Sequence, residues 1–280
     1  SLVIPSGLRP CRKNAQKRLP SSSATCSCSN NRSLSPRPLP WGAPFTQTFL
    51  PMKRLQLTYW LLLLLSMAIH AVAQTRFSVL GDSYSTYGGY VTPETNACWY
   101  NGTDGGTEKK NDVRSVEQTW WHLLTTQHGL QLDTNNSYSG STICHTGYYN
   151  QDFSDRSFIT RLHRLGSPDV ILVFGGTNDS WIGVPLGAFQ FGGWSKQELY
   201  TFRPAFCYLM AQLRQLYPDA RIYNITNTQL SAEVTESMER ICRYYGIPNI
   251  RLHDIDKQQG HPSVAGMKSI CEQVWQAIKE

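Results

Sequence analysis

No acidic residue stands before Gln74: all 20 Asp and Glu of the 280-residue chain follow it, whereas nine of its 26 Lys and Arg (Arg9, Arg12, Lys13, Lys17, Arg18, Arg32, Arg37, Lys53 and Arg54) precede it. The formal charge of +6 therefore misdescribes the body of the chain, where 17 basic residues face 20 acidic ones, a balance of −3. That body also has no basic run interleaved with aromatics, which argues against a nucleic-acid partner. It has no CxxC pair and no His/Cys spacing of a zinc site, so no metal is expected. No apolar run reaches the about 20 residues of a membrane span. No phosphate-cradling glycine loop opens a helix after the first apolar run, which disfavours a nucleotide binder. No internal repeat is present.

What the first 73 residues do hold is a leader. Residues 1–51 are rich in Ser, Pro and Arg, lack an apolar period able to build a core, and read as a disordered segment translated ahead of the native start. Met52 then opens a secretory signal over 52–73. Lys53 and Arg54 are its charged start, Tyr59 to Ile69 its apolar stretch, and Ala71-Val-Ala73 its small-residue cleavage site. The expected product is secreted or periplasmic, with no stable membrane insertion after cleavage. An uncleaved anchor, or a transit peptide over 1–51, is the competing reading. Removing 73 residues leaves 207, enough for one well-buried domain over 74–280. Five of the eight cysteines remain in it. Cys98 and Cys144 lie in polar, loop-like sequence where a bridge is conceivable, and Cys207, Cys242 and Cys271 lie among apolar helix positions that suit buried thiols.

Five β-rich runs alternate with helical stretches: 77–82, 130–140, 169–176, 221–228 and 249–256. Helices are expected over 116–128, ending at Gly129, and over 155–165, ending at Gly166. Another is expected over 195–218, opened by Ser195 and Glu198 at capping-box spacing and divided or kinked at Pro204. The last two are expected over 231–246 and 263–279. Such alternation implies a parallel five-stranded sheet covered on both faces, an α/β fold whose ligand crevice lies at the carboxyl ends of the strands.

The residues that end those runs are Gly81-Asp82-Ser83, Ser139-Gly140-Ser141, Gly175-Gly176-Thr177-Asn178-Asp179 and, after the fifth, Gly260-His261-Pro262. Together they bring a hydroxyl, amide donors and an imidazole to one rim, the groups that acyl transfer requires. A serine hydroxyl is a weak nucleophile and needs a base; His261 is the one histidine placed after a strand in a Gly/Pro-framed loop. The negative oxygen of a tetrahedral intermediate needs fixed donors, for which the Ser83 and Gly140 backbone amides and the Asn178 side chain are candidates. Asn178 as a helix cap and Gly140 as a plain turn are the bland alternatives. Asp82 and Asp179 suit loop bracing.

GDSYS, the Gly140 turn, GGTND and GHPS, in this order, resemble the four blocks of the SGNH (GDSL-type) hydrolases over nearly all of 77–280. The flanks GDSYSTYGGYVTPETNACWY and LHDIDKQQGHPSVAGM are similar to secreted members from gut-dwelling Bacteroidetes-type bacteria. The resemblance implies Ser83 as nucleophile, His261 as general base, Gly140 and Asn178 as oxyanion donors, a flavodoxin-like three-layer α/β/α sandwich, and no cofactor. One position departs from the pattern. The usual Asp three residues before the histidine is Gln258 here, so Asp256, Gln258 or a backbone carbonyl is left to orient the imidazole.

The connection over 87–115 is too polar for core and too long for an ordinary link. Tyr87, Tyr90, Trp99 and Tyr100 in it, facing a second aromatic insertion over 180–194, could present flat faces to a sugar ring or could pin their own loops. The expected partner is a small-molecule or glycan ester, with a longer acyl ester or a non-catalytic glycan contact as rivals.

Overall fold

The computed structural model describes residues 56–62, 74–101 and 111–279. Residues 56–62 are helical and exposed, in a unit distinct from that of Ile69–Glu280. Segment 1–51 and the rest of the expected leader lie outside the described residues. Among the described residues no helix is long and apolar enough to cross a membrane.

Strands β1 (Arg76–Gly81), β2 (Gln131–Ser137), β3 (Val170–Phe174), β4 (Arg221–Thr226) and β5 (Asn249–Arg251) form one sheet in the order β2-β1-β3-β4-β5, every neighbouring pair parallel. β3 reads Val-Ile-Leu-Val-Phe without a polar interruption because both of its faces are covered. Val170, Leu172 and Phe174 enter one core with Phe77, Val79, Trp120, Trp121, Met267 and Val274. Ile171 and Val173 enter the other with Leu80, Phe158, Phe206, Met210 and Ile241. The first core lies under helices α1 (Trp120–His128) and α6 (Val264–Ile278). The second lies under α2 (Phe158–Arg161), α4 (Phe202–Leu216) and α5 (Ala232–Tyr245). This is the three-layer α/β/α sandwich with flavodoxin-like strand order. The chain leaves β1 toward β2 on one side and reaches β3 on the other, so the crevice opens at the carboxyl ends of β1 and β3.

Several elements differ from expectation. The capping box forms, with the Ser195 N–H donating to Glu198 Oε2 at 2.6 Å, but it opens only a 3-10 turn over Glu198–Tyr200. α4 starts afterwards, so Pro204 falls in its first turn, where a missing N–H costs nothing and no kink results. The helix expected over 155–165 is one turn, α2. The fifth strand stops at Arg251, because Asp254 at φ 52° turns the chain away soon after the Leu252 N–H has bonded to Thr226 O. Beyond it lies an unexpected antiparallel pair, β6 (Lys257–Gln258) and β7 (His261–Pro262). No disulfide joins two described cysteines; Cys144, Cys207, Cys242 and Cys271 are buried thiols, and that of Cys144 donates to Thr146 O.

Candidate active site

Ser83 starts a 3-10 turn immediately after β1, and the turn is built by its neighbours. Asp82 Oδ1 accepts the Tyr84 N–H at 3.0 Å, and the Ser83 carbonyl accepts the Thr86 hydroxyl at 3.0 Å. Two buried indoles hold the turn from beneath: Trp121 Nε1 donates to Ser85 O at 2.9 Å and Trp120 Nε1 to Ser85 Oγ at 3.2 Å. Gly81 must be glycine, because a Cβ there would stand 2.5 Å from Ser137 Oγ and 2.7 Å from Ser85 Cβ.

His261 begins β7, one residue past a two-residue turn in which Gln259 and Gly260 have φ 53° and 74°. Two successive positive φ values mark the type I′ hairpin turn, whose twist matches that of the strands it joins. The turn faces the imidazole toward the serine: His261 Nε2 lies 2.9 Å from Ser83 Oγ, and Nδ1 lies 3.1 Å from Gln259 O. A carbonyl only accepts, so Nδ1 carries the proton and donates it to Gln259 O, which leaves the Nε2 lone pair to receive the Ser83 hydroxyl. Both residues are nearly buried, at 3% and 5% exposure, where hydrogen bonds gain strength from the low dielectric.

Of the three groups left to orient the ring, the Gln259 carbonyl is the one in place. The Asp256 carboxylate is engaged elsewhere, accepting the Ser263 hydroxyl; Ser263 in turn caps α6 by accepting the Gly266 N–H at 3.1 Å. Asp256 therefore belongs to the helix cap, a correction to its expected role as orienter. Gln258 Oε1 accepts the Asp112 N–H at 2.9 Å, and Asp254 sits in solvent beside His253.

The donor side is laced between β1, β2 and β3. The Tyr138 N–H bonds to Gly81 O at 3.1 Å, Gly140 follows in the left-handed region at φ 79°, and Asn178 Nδ2 donates to Ser141 O at 2.9 Å. Asn178 Oδ1 accepts the Tyr148 hydroxyl at 2.7 Å, so the amide is fixed at both ends while a second N–H of Nδ2 is left for another acceptor. Asn178 is not the helix cap; that place in α3 (Thr177–Ile182) is taken by Gly176 at φ 84°. Among the described residues no backbone acceptor takes the Ser83 or Gly140 N–H.

The two aspartates brace loops. Asp179 accepts the Ile143 N–H at 2.9 Å and the Cys144 N–H at 3.3 Å. Burial pushes its carboxyl up to about 6 and that of Asp82 up to about 7. Near Asp82 the sequence concealed a residue that matters, Arg161. It is 4% exposed, and its guanidinium donates to Gly81 O at 3.1 Å, to Ser141 Oγ at 2.9 Å and to Asn136 O, tying the ends of β1 and β2 together. Burial pulls it down to about 9, against the opposing pull of Asp82.

Three further contacts to the histidine hairpin come from Tyr84 within the first block and from Tyr100 and Asn111 in the first insertion. Tyr84 OH donates to Gly260 O, Tyr100 OH to Pro262 O at 2.8 Å, and Asn111 Nδ2 to Pro262 O at 3.1 Å. Tyr87 and Tyr100 are buried, and the Trp99 ring is stacked on His261, so three of the four aromatics in the first insertion build the site's frame. Tyr90 is half-exposed. His145 is likewise structural: its Nδ1 pairs with Ser157 Oγ at 3.0 Å. Among the described residues no group of His, Cys, Asp and Glu could hold a metal ion.

A doubly wound parallel sheet with a hydroxyl–imidazole pair at its carboxyl rim defines an α/β protein with a hydrolase-type site. The family model of GDSL-like lipase/acylhydrolase matches residues 75–278, and the chain belongs to that family. A GDSL-like lipase structure from Bacteroides uniformis is 65% identical, with a TM-score of 0.72 over 74% of this chain and 97% of that one. A second, from Bacteroides ovatus, is 49% identical, with a TM-score of 0.72 over 74% and 99%. A Lactobacillus plantarum protein at 20% identity and TM-score 0.52, over 74% and 98%, shares the fold. Among curated proteins none matches the chain.

Proposed function

We propose that the protein is an exported serine esterase that removes short acyl groups, acetyl foremost, from carbohydrate or similar polar esters. The 2.9 Å approach of His261 Nε2 to Ser83 Oγ, with Nδ1 fixed by the Gln259 carbonyl, carries the reading. In the proposed reaction Ser83 Oγ attacks the ester carbon as its proton passes to Nε2. The carbonyl oxygen becomes an oxyanion held by the Ser83 and Gly140 N–H groups and by Asn178 Nδ2. The bond to the alcohol oxygen then breaks as His261 returns the proton to that oxygen. Water, deprotonated by the same nitrogen, then attacks the acyl-serine carbonyl; the bond to Ser83 Oγ breaks as His261 returns the proton to that oxygen, freeing the acid and regenerating the serine. Loss of one oxyanion donor typically costs about 3 kcal/mol of transition-state stabilisation, so Asn178→Ala is expected to lower kcat by about 10²-fold.

The polar-substrate assignment is supported by two exposed aromatics beside this machinery. Trp181, 46% exposed, has its ring 5.8 Å from that of His261. Tyr149, 93% exposed, adjoins the Tyr148 that holds Asn178, on a backbone at φ 58°. Flat rings at the edge of an ester site suit the apolar face of a sugar.

Turnover of acetylated oligosaccharides and of acetyl to octanoyl nitrophenyl esters tests the reading. Acetyl esters are expected to lead, and Ser83→Ala to remove at least about 10³-fold of the activity. Rates rising toward octanoyl favour a lysophospholipase or thioesterase, and absence of fluorophosphonate labelling at Ser83 favours a non-catalytic glycan binder. Export is tested by mass spectrometry of the mature chain, expected to begin at Gln74; an intact Ser1 overturns it.

A further inference from the structure

The first insertion sends Trp99 to the histidine. The indole and imidazole centroids are 3.5 Å apart with planes inclined by 6°, a full face-to-face contact. The other rings around His261 meet it at steeper angles: Tyr84 at 54°, Trp181 at 73° and Tyr100 at 82°. For two neutral rings the eclipsed sandwich is the poorer arrangement, because two negative π faces oppose each other. For a cation over an indole it is the favourable one, and tryptophan is the best of the aromatic partners. The geometry thus suits the imidazolium better than the imidazole.

The stack is also tied to both members of the pair. The Trp99 main-chain N–H donates to Thr86 Oγ1 at 2.8 Å, and that same hydroxyl donates to the Ser83 carbonyl at 3.0 Å. The next residue, Tyr100, holds Pro262 on the histidine's own strand. The indole therefore keeps its place relative to the serine turn and the imidazole together.

We infer that Trp99 is a positioning residue for ester hydrolysis, holding the His261 ring in plane and stabilising the positive charge that the ring acquires when it takes the Ser83 proton. The inference rests on the esterase reading above. In serine hydrolases a buried carboxylate commonly serves that electrostatic purpose. Here a π face supplies charge stabilisation above the ring while the Gln259 carbonyl fixes the tautomer in its plane. Among the described residues, the charged and titratable groups on the elements packed against the ring include Asp82 under the serine turn, Tyr84 and Tyr100, Asp112 at the start of α6, Lys257 on β6 and Asp256 at the Ser263 cap.

Trp99→Leu keeps the ring's apolar cover and removes the π face; Trp99→Phe restores a smaller one. Histidine-labelled full-length protein titrated by NMR reads the His261 pKa directly and needs no substrate. It is expected to fall by roughly half to one pH unit in Trp99→Leu and to stay near wild type in Trp99→Phe. The kcat/KM profile on an acetyl ester is expected to lose roughly 3- to 30-fold at its plateau, with its acid limb moved to lower pH and KM within about 2-fold. A plateau loss with an unmoved acid limb, or equal pKa changes in the Leu and Phe variants, overturns the inference. An ester panel that wild type does not hydrolyse overturns the esterase reading instead, and the titration still decides whether the indole stabilises the charge.

Discussion

At the scale of single residues the site depends on charges placed where water cannot reach them. Arg161 is the clearest case, a buried cation whose donors end on the carbonyls of Gly81, Asn136 and Arg156 and on the Ser141 hydroxyl. Arg161→Met leaves those buried acceptors without their donors and withdraws a charge that favours ionised Asp82, so it is expected to lower stability by about 2 to 4 kcal/mol in urea unfolding, with the Asp82 carboxyl driven further up. The buried carboxyls set a pH dependence of their own. Folded Asp82 and Asp179 hold their protons up to about 7 and about 6, above the ordinary 3.8. Between those values the folded chain binds protons that the unfolded chain has released. Their contribution is therefore fully present below about pH 3.8 and is lost as pH rises through 6 and 7. Urea midpoints measured from pH 4.5 to 8 are expected to carry this downward component, and Asp82→Asn to flatten it. A slope unchanged in that variant would place the ionisation elsewhere. Neither effect was legible beforehand: an arginine in a helical pattern reads as a solvated face, and its burial is dictated by carbonyls contributed from β1 and β2.

At the scale of elements the β6–β7 hairpin decides whether the pair forms, because its turn supplies both the direction of His261 and the carbonyl that fixes its tautomer. Gln259 occupies the left-handed region at a cost that Asn does not incur to the same extent, and Asn-Gly is the preferred pair for a type I′ turn. Gln259→Asn is thus expected to keep full activity and raise stability by roughly 0.5 kcal/mol, since the orienting group is main-chain. Gln259→Pro, which fixes φ near −65°, is expected to abolish esterase activity. Activity retained in the proline variant would show that another group orients the imidazole. The sequence marks the strands through their apolar runs, and it marks the site through glycine-bounded strand ends, because tight backbone approach leaves few alternatives there. Gly260 marks the histidine loop, but nothing marks it as a hairpin. Its strands are two residues long, too short for alternation, and Gln is not a turn-favouring residue. Asp256 illustrates the same limit: a carboxylate near His261 in the chain is drawn off by Ser263, and only the geometry of the α6 cap reveals it.

At the scale of the whole molecule the sheet is the shared wall of two cores, and the rim that carries Ser83, Asn178 and Gly140 is where its strands emerge from both. Neighbouring residues of β3 serve opposite layers: Ile171 is fully buried among α2, α4 and α5, and Leu172 among α1 and α6. A shared, closely packed sheet couples them, so neither core can loosen without losing the backing of the strands it covers. Ile171→Ala and Leu172→Ala are each expected to cost about 2 to 5 kcal/mol, and both are expected to move one common unfolding transition seen alike by tryptophan fluorescence and by far-UV circular dichroism. Trp120 and Trp121 lie in the first core and Trp194 packs against the second, so in a Trp194→Phe background fluorescence is weighted toward the first layer while circular dichroism reports both. If Ile171→Ala shifted the circular dichroism transition and left the fluorescence midpoint in place, the layers would be separate cooperative units. The serine turn, held by those two tryptophans, would then remain formed after the α4–α5 layer had melted, and any ester hydrolysis would outlast the loss of helix.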